Sequence, residues 1–109
     1  MERVCFQLQV KPQKIAEYVQ RHDDIWPDMQ RALRESGWCN FSLFMGEDGL
    51  LTGYLECDNF EDARNAMQEY EVNTRWQEEM APFFEGLDGT HPDQGLRRIP
   101  EVFHLDCFH

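Results

Sequence analysis

The sequence predicts a single α+β domain of the ferredoxin-like type, a split βαβ arrangement in which helices cover one face of an antiparallel sheet. Three observations support this fold class. The elements follow the order strand, helix, strand, strand, helices, strand. The two middle strands flank a short turn with a glycine at each end, which indicates a hairpin. The length of 109 residues is typical of one domain.

The first half of the chain contains one strand and one interrupted helix. Residues Arg3 to Val10 alternate between apolar and polar side chains, which is the period of a half-buried strand. From Pro12 to about Ser36 the apolar residues follow a helical period. Pro27 cannot continue that helix without losing a hydrogen bond, so we expect a kink or break around Asp23 to Trp26.

The second half adds a hairpin, two helices and a last strand. Period-two segments indicate the strands, and helical periods follow a capping signal at Asp58-Asn59. The predicted elements are strand Trp38–Met45, turn Gly46–Gly49, strand Leu50–Cys57, helix Phe60 to about Tyr70, helix about Asn73 to Phe84, loop Gly86–Pro100 and a short strand Glu101–Leu105.

The sheet face that points away from the helices combines polar and aromatic side chains, so it is too aromatic to stay exposed and too polar for a dry core. A second copy of the sheet packed against it would resolve this conflict, and we therefore expect a homodimer that forms an α+β barrel. A monomer with a few exposed aromatic residues is the alternative. The predicted outer residues are Arg3, Cys5, Gln7, Gln9, Trp38, Asn40, Ser42, Phe44, Leu50, Thr52, Tyr54 and Glu56.

The formal net charge of -11 disfavours nucleic acid and anionic membranes as partners, because both attract positive charge. No apolar run of membrane-spanning length and no secretory signal are visible, so we expect no membrane association. The four cysteines, Cys5, Cys39, Cys57 and Cys107, include no C-x-x-C pair. We therefore predict a reducing cytoplasm, without disulfides or a zinc site.

Candidate chemistry lies on the first helix. Tyr18 and His22 are four residues apart, which places their side chains next to each other. Trp26, Phe41 and Trp76 belong to surfaces that could line the same cleft between helix and sheet. Aromatic rings pack against the C–H patches of sugars, and imidazole transfers protons near neutral pH. The alternative is that His22 is a structural residue, as a single histidine on an apolar helix face more often is.

The remaining histidines give weaker signals. His91 lies in the predicted loop, His104 in the predicted last strand, and His109 at the end of the chain. None has metal-ligand spacing, and the sequence contains no glycine-rich phosphate loop. An enzyme that depends on a metal or a nucleotide is therefore disfavoured, and we expect no metal site and no cofactor.

The stretch "EYVQRHDDIWPDM", Glu17 to Met29, resembles the signature of the L-rhamnose mutarotases, a Tyr-x-x-x-His-x-x-x-Trp-Pro pattern on the first helix. The resemblance continues through "NTRW", Asn73 to Trp76, and "EVFHLD", Glu101 to Asp106. It covers residues 1–106 as one domain and leaves residues 107–109 as a short C-terminal tail.

The resemblance implies a cytoplasmic, homodimeric ferredoxin-like α+β barrel that interconverts the α and β anomers of L-rhamnose without a cofactor. It implies that His22 is the catalytic proton donor and that Tyr18 and Trp76 contact the sugar, and we expect Phe41 to hold its apolar face with Trp76. Members of the family often have Tyr in place of Phe41 and a second Trp in place of Gln77. Both departures bear on the sugar preference, whereas neither removes the proposed acid.

Two other functions remain open on the sequence. One is a monooxygenase of the same dimeric barrel shape, either independent of cofactors or using haem, with His22 as a haem ligand. The other is a non-catalytic module that binds a small sugar.

Overall fold

The computed structural model describes residues 1–87 and 89–105. Its α+β architecture, one four-stranded antiparallel sheet with helices on one face, confirms the predicted fold class. Single-turn 3-10 helices at Pro12–Lys14 and Ala81–Phe83 extend two of the helices. The main elements are β1 Glu2–Gln9, α1 Ile15–Asp23, α2 Pro27–Glu35, β2 Cys39–Met45, β3 Leu50–Cys57, α3 Phe60–Met67, α4 Glu71–Met80 and β4 Arg97–Ile99.

The sheet has the strand order β2-β3-β1-β4 that a split βαβ fold requires. β1 pairs with β3 over its whole length, from Glu2 opposite Cys57 to Gln9 opposite Leu50. The inner face of this pair carries Val4 and Leu55, both completely buried beneath the helices. Burial of such apolar side chains is the main term that holds helices to a sheet.

The predicted break in the first helical segment is confirmed. α1 ends at Asp23 and α2 begins at Pro27, which occupies the first helical position, where its missing N–H removes no hydrogen bond. Trp26 precedes it with an extended backbone, as a residue before proline prefers. The break therefore turns the chain between two short helices and places Trp26 at the junction.

The predicted strand Glu101–Leu105 is wrong. The fourth strand is Arg97–Ile99, and Pro100 ends it, while residues 101–105 are exposed and form no strand. Because Arg97–Ile99 contains two arginines, it lacks the alternation of apolar residues that predicts a strand. Its side chains nevertheless bind across the sheet, and Arg97 donates a hydrogen bond to the amide oxygen of Gln7. The predicted tail at residues 107–109 lies outside the described residues.

The predicted outward position of Trp38 is also wrong. Trp38 is buried, and its indole N–H donates to the backbone oxygen of Ala63, whereas Cys39 is exposed. A bulge causes the exchange, because the pairing jumps from Cys39 opposite Glu56 to Ser42 opposite Tyr54. The chain passes this point with Asn40 at a φ of 48°, a conformation that asparagine tolerates better than most residues.

Candidate active site

One cleft opens between the inner face of the sheet and the helices. Its walls come from β1, β2 and β3, from all four α-helices, and from the segment between Pro92 and Leu96. The cavity has a volume of about 90 Å³, which is room for several water molecules at about 10–15 Å³ each.

Tyr18 and His22 form the α1 wall of the cleft. Their rings stack with centroids 4.1 Å apart and planes 26° from parallel, as the spacing of four residues on a helix allows. Tyr18 is buried against the edges of Phe83 and Phe84. Burial raises the pKa of its hydroxyl well above the ordinary value, so the phenol stays protonated at neutral pH.

The orientation of His22 is fixed by a backbone hydrogen bond. Its Nδ1 lies 2.9 Å from the backbone oxygen of Tyr18. Since a carbonyl oxygen only accepts hydrogen bonds, Nδ1 carries the hydrogen, and Nε2 is left for a ligand. Burial lowers the pKa of the imidazole below its ordinary value of 6.5, although the bond to Tyr18 acts in the opposite direction. His22 is therefore predominantly neutral at pH 7, with a lone pair on Nε2.

Trp76 reaches the cleft from α4 and meets two residues of the α1 region. Its ring stands edge-on to His22 at 5.4 Å and to Trp26 at 5.0 Å between centroids. Such perpendicular arrangements are favourable for aromatic pairs. Trp76 is buried and Trp26 half-buried, so the aromatic contacts run from the interior towards the surface.

Phe41 contributes the wall on β2. It is half-buried, and its ring lies 5.1 Å from that of Trp38 and 6.3 Å from that of Phe6. All three rings border the cleft. The bulge that turns Trp38 inward therefore also builds the aromatic base on which Phe41 rests.

A polar cluster on the opposite side of the cleft was not predicted. Asn73 and Gln77 of α4 are buried, and they hydrogen-bond to each other and to Asp93. Only weak signals along the chain point to this cluster. The loop Gly86–Pro100 contains a Pro-Asp turn, and an acidic residue in a turn is most often solvated.

The residues described by the structure contain no group of three or more His, Cys, Asp or Glu side chains that could hold a metal ion. Within the same residues, no helix is long and apolar enough to cross a membrane. His91 and His104 do not line the cleft, and His109 lies outside the described residues.

Comparison with known proteins identifies the family. The family model for L-rhamnose mutarotase matches residues 3–105. The chain belongs to the L-rhamnose mutarotase family. A member from Bacillus subtilis is 39% identical over 107 residues, which cover 97% of this chain and 100% of that relative. Another from Jannaschia sp. is 34% identical over 108 residues, covering 96% and 99% of the two chains.

Solved structures show the same fold. An L-rhamnose mutarotase from Formosa agariphila superposes with a TM-score of 0.77 at 22% identity, covering 97% of this chain and 100% of that one. A protein described as an antibiotic biosynthesis monooxygenase from Nitrosomonas europaea reaches a TM-score of 0.61 at 14% identity, covering 89% and 84%. The second likeness concerns the fold alone and does not favour the monooxygenase alternative.

The structure brings all four predicted site residues, Tyr18, His22, Phe41 and Trp76, to the walls of one cleft. The family expected from "EYVQRHDDIWPDM" is confirmed. The individual roles of the four residues stay predictions.

Proposed function

We propose that this L-rhamnose mutarotase interconverts the α and β anomers of L-rhamnose in the cleft, with His22 as the acid–base residue. The observation that carries this assignment is the orientation of the imidazole. Nδ1 is bonded to the Tyr18 carbonyl, so the one ring nitrogen left for the sugar is Nε2. An isomerase of this kind needs only proton transfer, because the reaction neither oxidises nor reduces the sugar and transfers no group from it.

The reaction balances within the sugar and one imidazole. Nε2 of neutral His22 takes the proton of the anomeric hydroxyl, and a carbonyl forms at C1 as the C1–ring oxygen bond breaks. The electron pair of that bond goes to the ring oxygen, which receives the proton from the imidazolium. Rotation about the C1–C2 bond and the reverse steps close the ring on the other face.

One imidazole can serve both oxygens because both are bonded to C1 before the ring opens. His22 thus acts first as proton acceptor and then as the donor that the family resemblance implies. The lowered pKa favours the neutral starting form at neutral pH. General acid–base catalysis of this kind contributes roughly 10²- to 10⁴-fold to a rate.

We assign the other three residues to binding the sugar. The Tyr18 hydroxyl, protonated because of burial, is suited to a hydrogen bond with the sugar, while its ring holds the face of His22. Trp76 and Phe41 offer aromatic surface for the apolar face of the pyranose and its methyl group. Phe41 has no hydroxyl, so its contribution is contact area alone.

Saturation-transfer NMR on equilibrated L-rhamnose tests the assignment, because it measures the exchange rate between the two anomers directly. His22→Ala is expected to lower the enzyme-catalysed exchange by about 100-fold or more. Tyr18→Phe should lower the exchange rate while the stacking on the His22 ring is retained. Val19→Ala is the matched control, since Val19 is exposed on the same helix and does not line the cleft. An unchanged exchange rate in His22→Ala would refute the role of His22.

We also propose a homodimer in which a second copy covers the outer face of the sheet. Two sets of exposed apolar side chains support this proposal. Phe44 on β2 is 62% exposed, and Val102, Phe103 and Leu105 are 70–95% exposed. The segment that bears the last three is held at its start by paired hydrogen bonds between Arg3 and Glu101, both 2.8 Å long. Large exposed apolar groups of this kind favour a protein partner.

Analytical ultracentrifugation tests the dimer, which should have twice the chain mass of 13.0 kDa. Phe44→Asp would place a charge in the interface and is expected to give the single-chain mass. Val19→Asp is the matched control, because Val19 is also an exposed apolar residue but lies on α1, on the helical side of the sheet. A wild-type protein of single-chain mass at micromolar concentration would refute the proposal.

We place the protein in the cytoplasm, working without a cofactor and without nucleic acid or membrane partners. The three described cysteines, Cys5, Cys39 and Cys57, are free thiols, which suits a reducing compartment. The net charge of -11 repels polyanions. A low-salt binding assay with DNA and with anionic vesicles, both expected to show no binding, tests the last two exclusions.

A further inference from the structure

Asp93 is held at the cleft by an amide clamp that consists of the side chains of Asn73 and Gln77. Gln77 Oε1 accepts a hydrogen bond of 3.2 Å from the backbone N–H of Asp93. Gln77 Nε2 donates to Asn73 Oδ1 at 3.1 Å, and Asn73 Nδ2 donates to Asp93 Oδ2 at 3.2 Å. Three hydrogen bonds thus close a ring that ties α4 to the segment carrying Asp93.

This arrangement does more than fill space. Asn73 is 3% exposed and Gln77 is 8% exposed, and a buried amide destabilises a fold unless its hydrogen bonds are made. Apolar side chains next to Trp76 would close the same gap without that requirement. The clamp instead fixes both the backbone and the carboxylate of one acidic residue, which is the kind of support that a binding group needs.

The clamp binds one carboxylate oxygen of Asp93 and does not use the other. Oδ2 is bonded to Asn73, whereas Oδ1 has no hydrogen-bond partner among residues 1–87 and 89–105. No Lys or Arg side chain in those ranges forms an ion pair with Asp93 either. Asp93 is half-buried and is the one acidic residue on the described walls of the cleft.

We propose that Asp93 is a further sugar-binding residue whose carboxylate accepts hydrogen bonds from ring hydroxyls of the substrate, with Asn73 and Gln77 as positioning residues. The proposal rests on the proposed function, since the ligand is the same monosaccharide. Most of the cleft is aromatic or aliphatic, so it recognises the C–H face of a sugar but offers few acceptors for its hydroxyl groups. A fixed carboxylate oxygen supplies such an acceptor, and a charged acceptor forms the stronger hydrogen bonds. No bond of the sugar is made or broken at Asp93.

Asp93→Asn tests the proposal with little disturbance of the fold. The carboxamide oxygen can still accept from Asn73, and the backbone N–H still donates to Gln77, so the clamp persists. What disappears is the charge and the second acceptor, which becomes an N–H₂ donor. Titration with L-rhamnose, followed by tryptophan fluorescence, gives the dissociation constant because Trp76 and Trp38 line the cleft.

The dissociation constant of Asp93→Asn is expected to rise about tenfold or more, the usual consequence of losing a hydrogen bond to a charged group. Asp58→Asn is the matched control, because it makes the same chemical change at an exposed position away from the cleft. Its dissociation constant should equal that of the wild type. An Asp93→Asn protein that binds L-rhamnose as tightly as the wild type would overturn the proposal.

Analogues of L-rhamnose that each lack one ring hydroxyl, at C2, C3 or C4, identify the contact and test the clamp. At least one analogue should bind the wild type about tenfold more weakly, and Asp93→Asn should add no further loss for that analogue. Gln77→Met should likewise weaken the binding of L-rhamnose while leaving the binding of that analogue unchanged. General destabilisation of the protein would weaken the binding of both sugars. Strictly additive losses for every analogue would overturn the proposal.

The fluorescence titration separates this proposal from the proposed function, because it needs no turnover. If the wild type accelerates anomer exchange but Asp93→Asn binds L-rhamnose as tightly as the wild type, the proposed function stands and the role of Asp93 is refuted. If Asp93→Asn weakens the binding of L-rhamnose but the wild type does not accelerate anomer exchange, the role of Asp93 stands and the proposed function is refuted.

Discussion

Gly53 lies opposite Phe6 in the register of β1 and β3, and it leaves the space that the Phe6 ring occupies. A methyl group added at Gly53 would lie 2.6 Å from Cε2 of Phe6 and closer still to Cζ, well inside van der Waals contact. Phe6 is buried and borders the cleft beside Phe41. Gly53→Ala is therefore expected to push the Phe6 ring towards the cleft.

The expected loss follows from overpacking of a closely packed interior. Insertion of a methyl group into such a site destabilises a protein by about 1–3 kcal/mol, which for a domain of this size lowers Tm by roughly 5–20 °C. Calorimetry measures that shift, and fluorescence titration with L-rhamnose should show weaker binding because the cleft has lost volume.

The double variant Phe6→Leu/Gly53→Ala supplies the decisive comparison. Leucine removes the ring atoms that the new methyl group would strike, so the double variant should be more stable than the sum of the two single changes predicts. Additive losses in Tm would refute the reasoning, as would a Gly53→Ala protein with wild-type stability and affinity.

Four further predictions concern the residues and chemistry of the cleft. Since burial lowers the pKa of His22 and the neutral imidazole starts the reaction, the exchange rate measured by NMR should hold at neutral pH and fall only as the pH drops below 6.5. The same shift means that the unfolded chain binds more protons, so the free energy of unfolding should decrease as the pH falls from 6.5 through the native pKa, a dependence that His22→Gln should reduce. Trp76→Leu should raise the dissociation constant for L-rhamnose by about tenfold because aromatic contact is lost. A dissociation constant equal to that of the wild type would contradict this role of Trp76. Dialysis against EDTA should leave the exchange rate unchanged, because the proposed step moves one proton within the sugar, and a lost rate restored by a divalent cation would contradict it.

The parts of the site that the sequence predicted depend on neighbours in the chain. The pairing of Tyr18 with His22 follows from helical geometry alone, and Pro27 ends α1 through its own missing N–H. Both effects act within one or two helical turns. A pattern read along the chain can therefore place Tyr18 next to His22 and locate the break. It leaves the direction of Trp26 open, and the structure does not place Trp26 among the residues that line the cleft.

The parts that it missed depend on residues that lie far away along the chain. The faces of Trp38 and Cys39 were exchanged because one extra residue in β2 shifts every preceding side chain to the other face, and only the pairing with β3 reveals that residue. The last strand was placed at Glu101–Leu105, where apolar residues alternate. The true strand, Arg97–Ile99, is defined by its hydrogen bonds to β1 at the edge of the sheet. Asp93 was overlooked for the same reason, since both of its described partners lie 16 to 20 residues earlier.

The contacts of His22 explain how so small a domain can position a catalyst. The ring is fixed at Nδ1 by the Tyr18 carbonyl, on one face by the Tyr18 ring, and by a perpendicular contact with the Trp76 ring. These three restraints remove the rotational freedom of the imidazole during folding, so the loss of side-chain entropy is not repeated when the sugar binds. A proton that moves between two oxygens on one carbon needs one well-placed base. The aromatic contacts therefore serve catalysis through the direction that they give to Nε2.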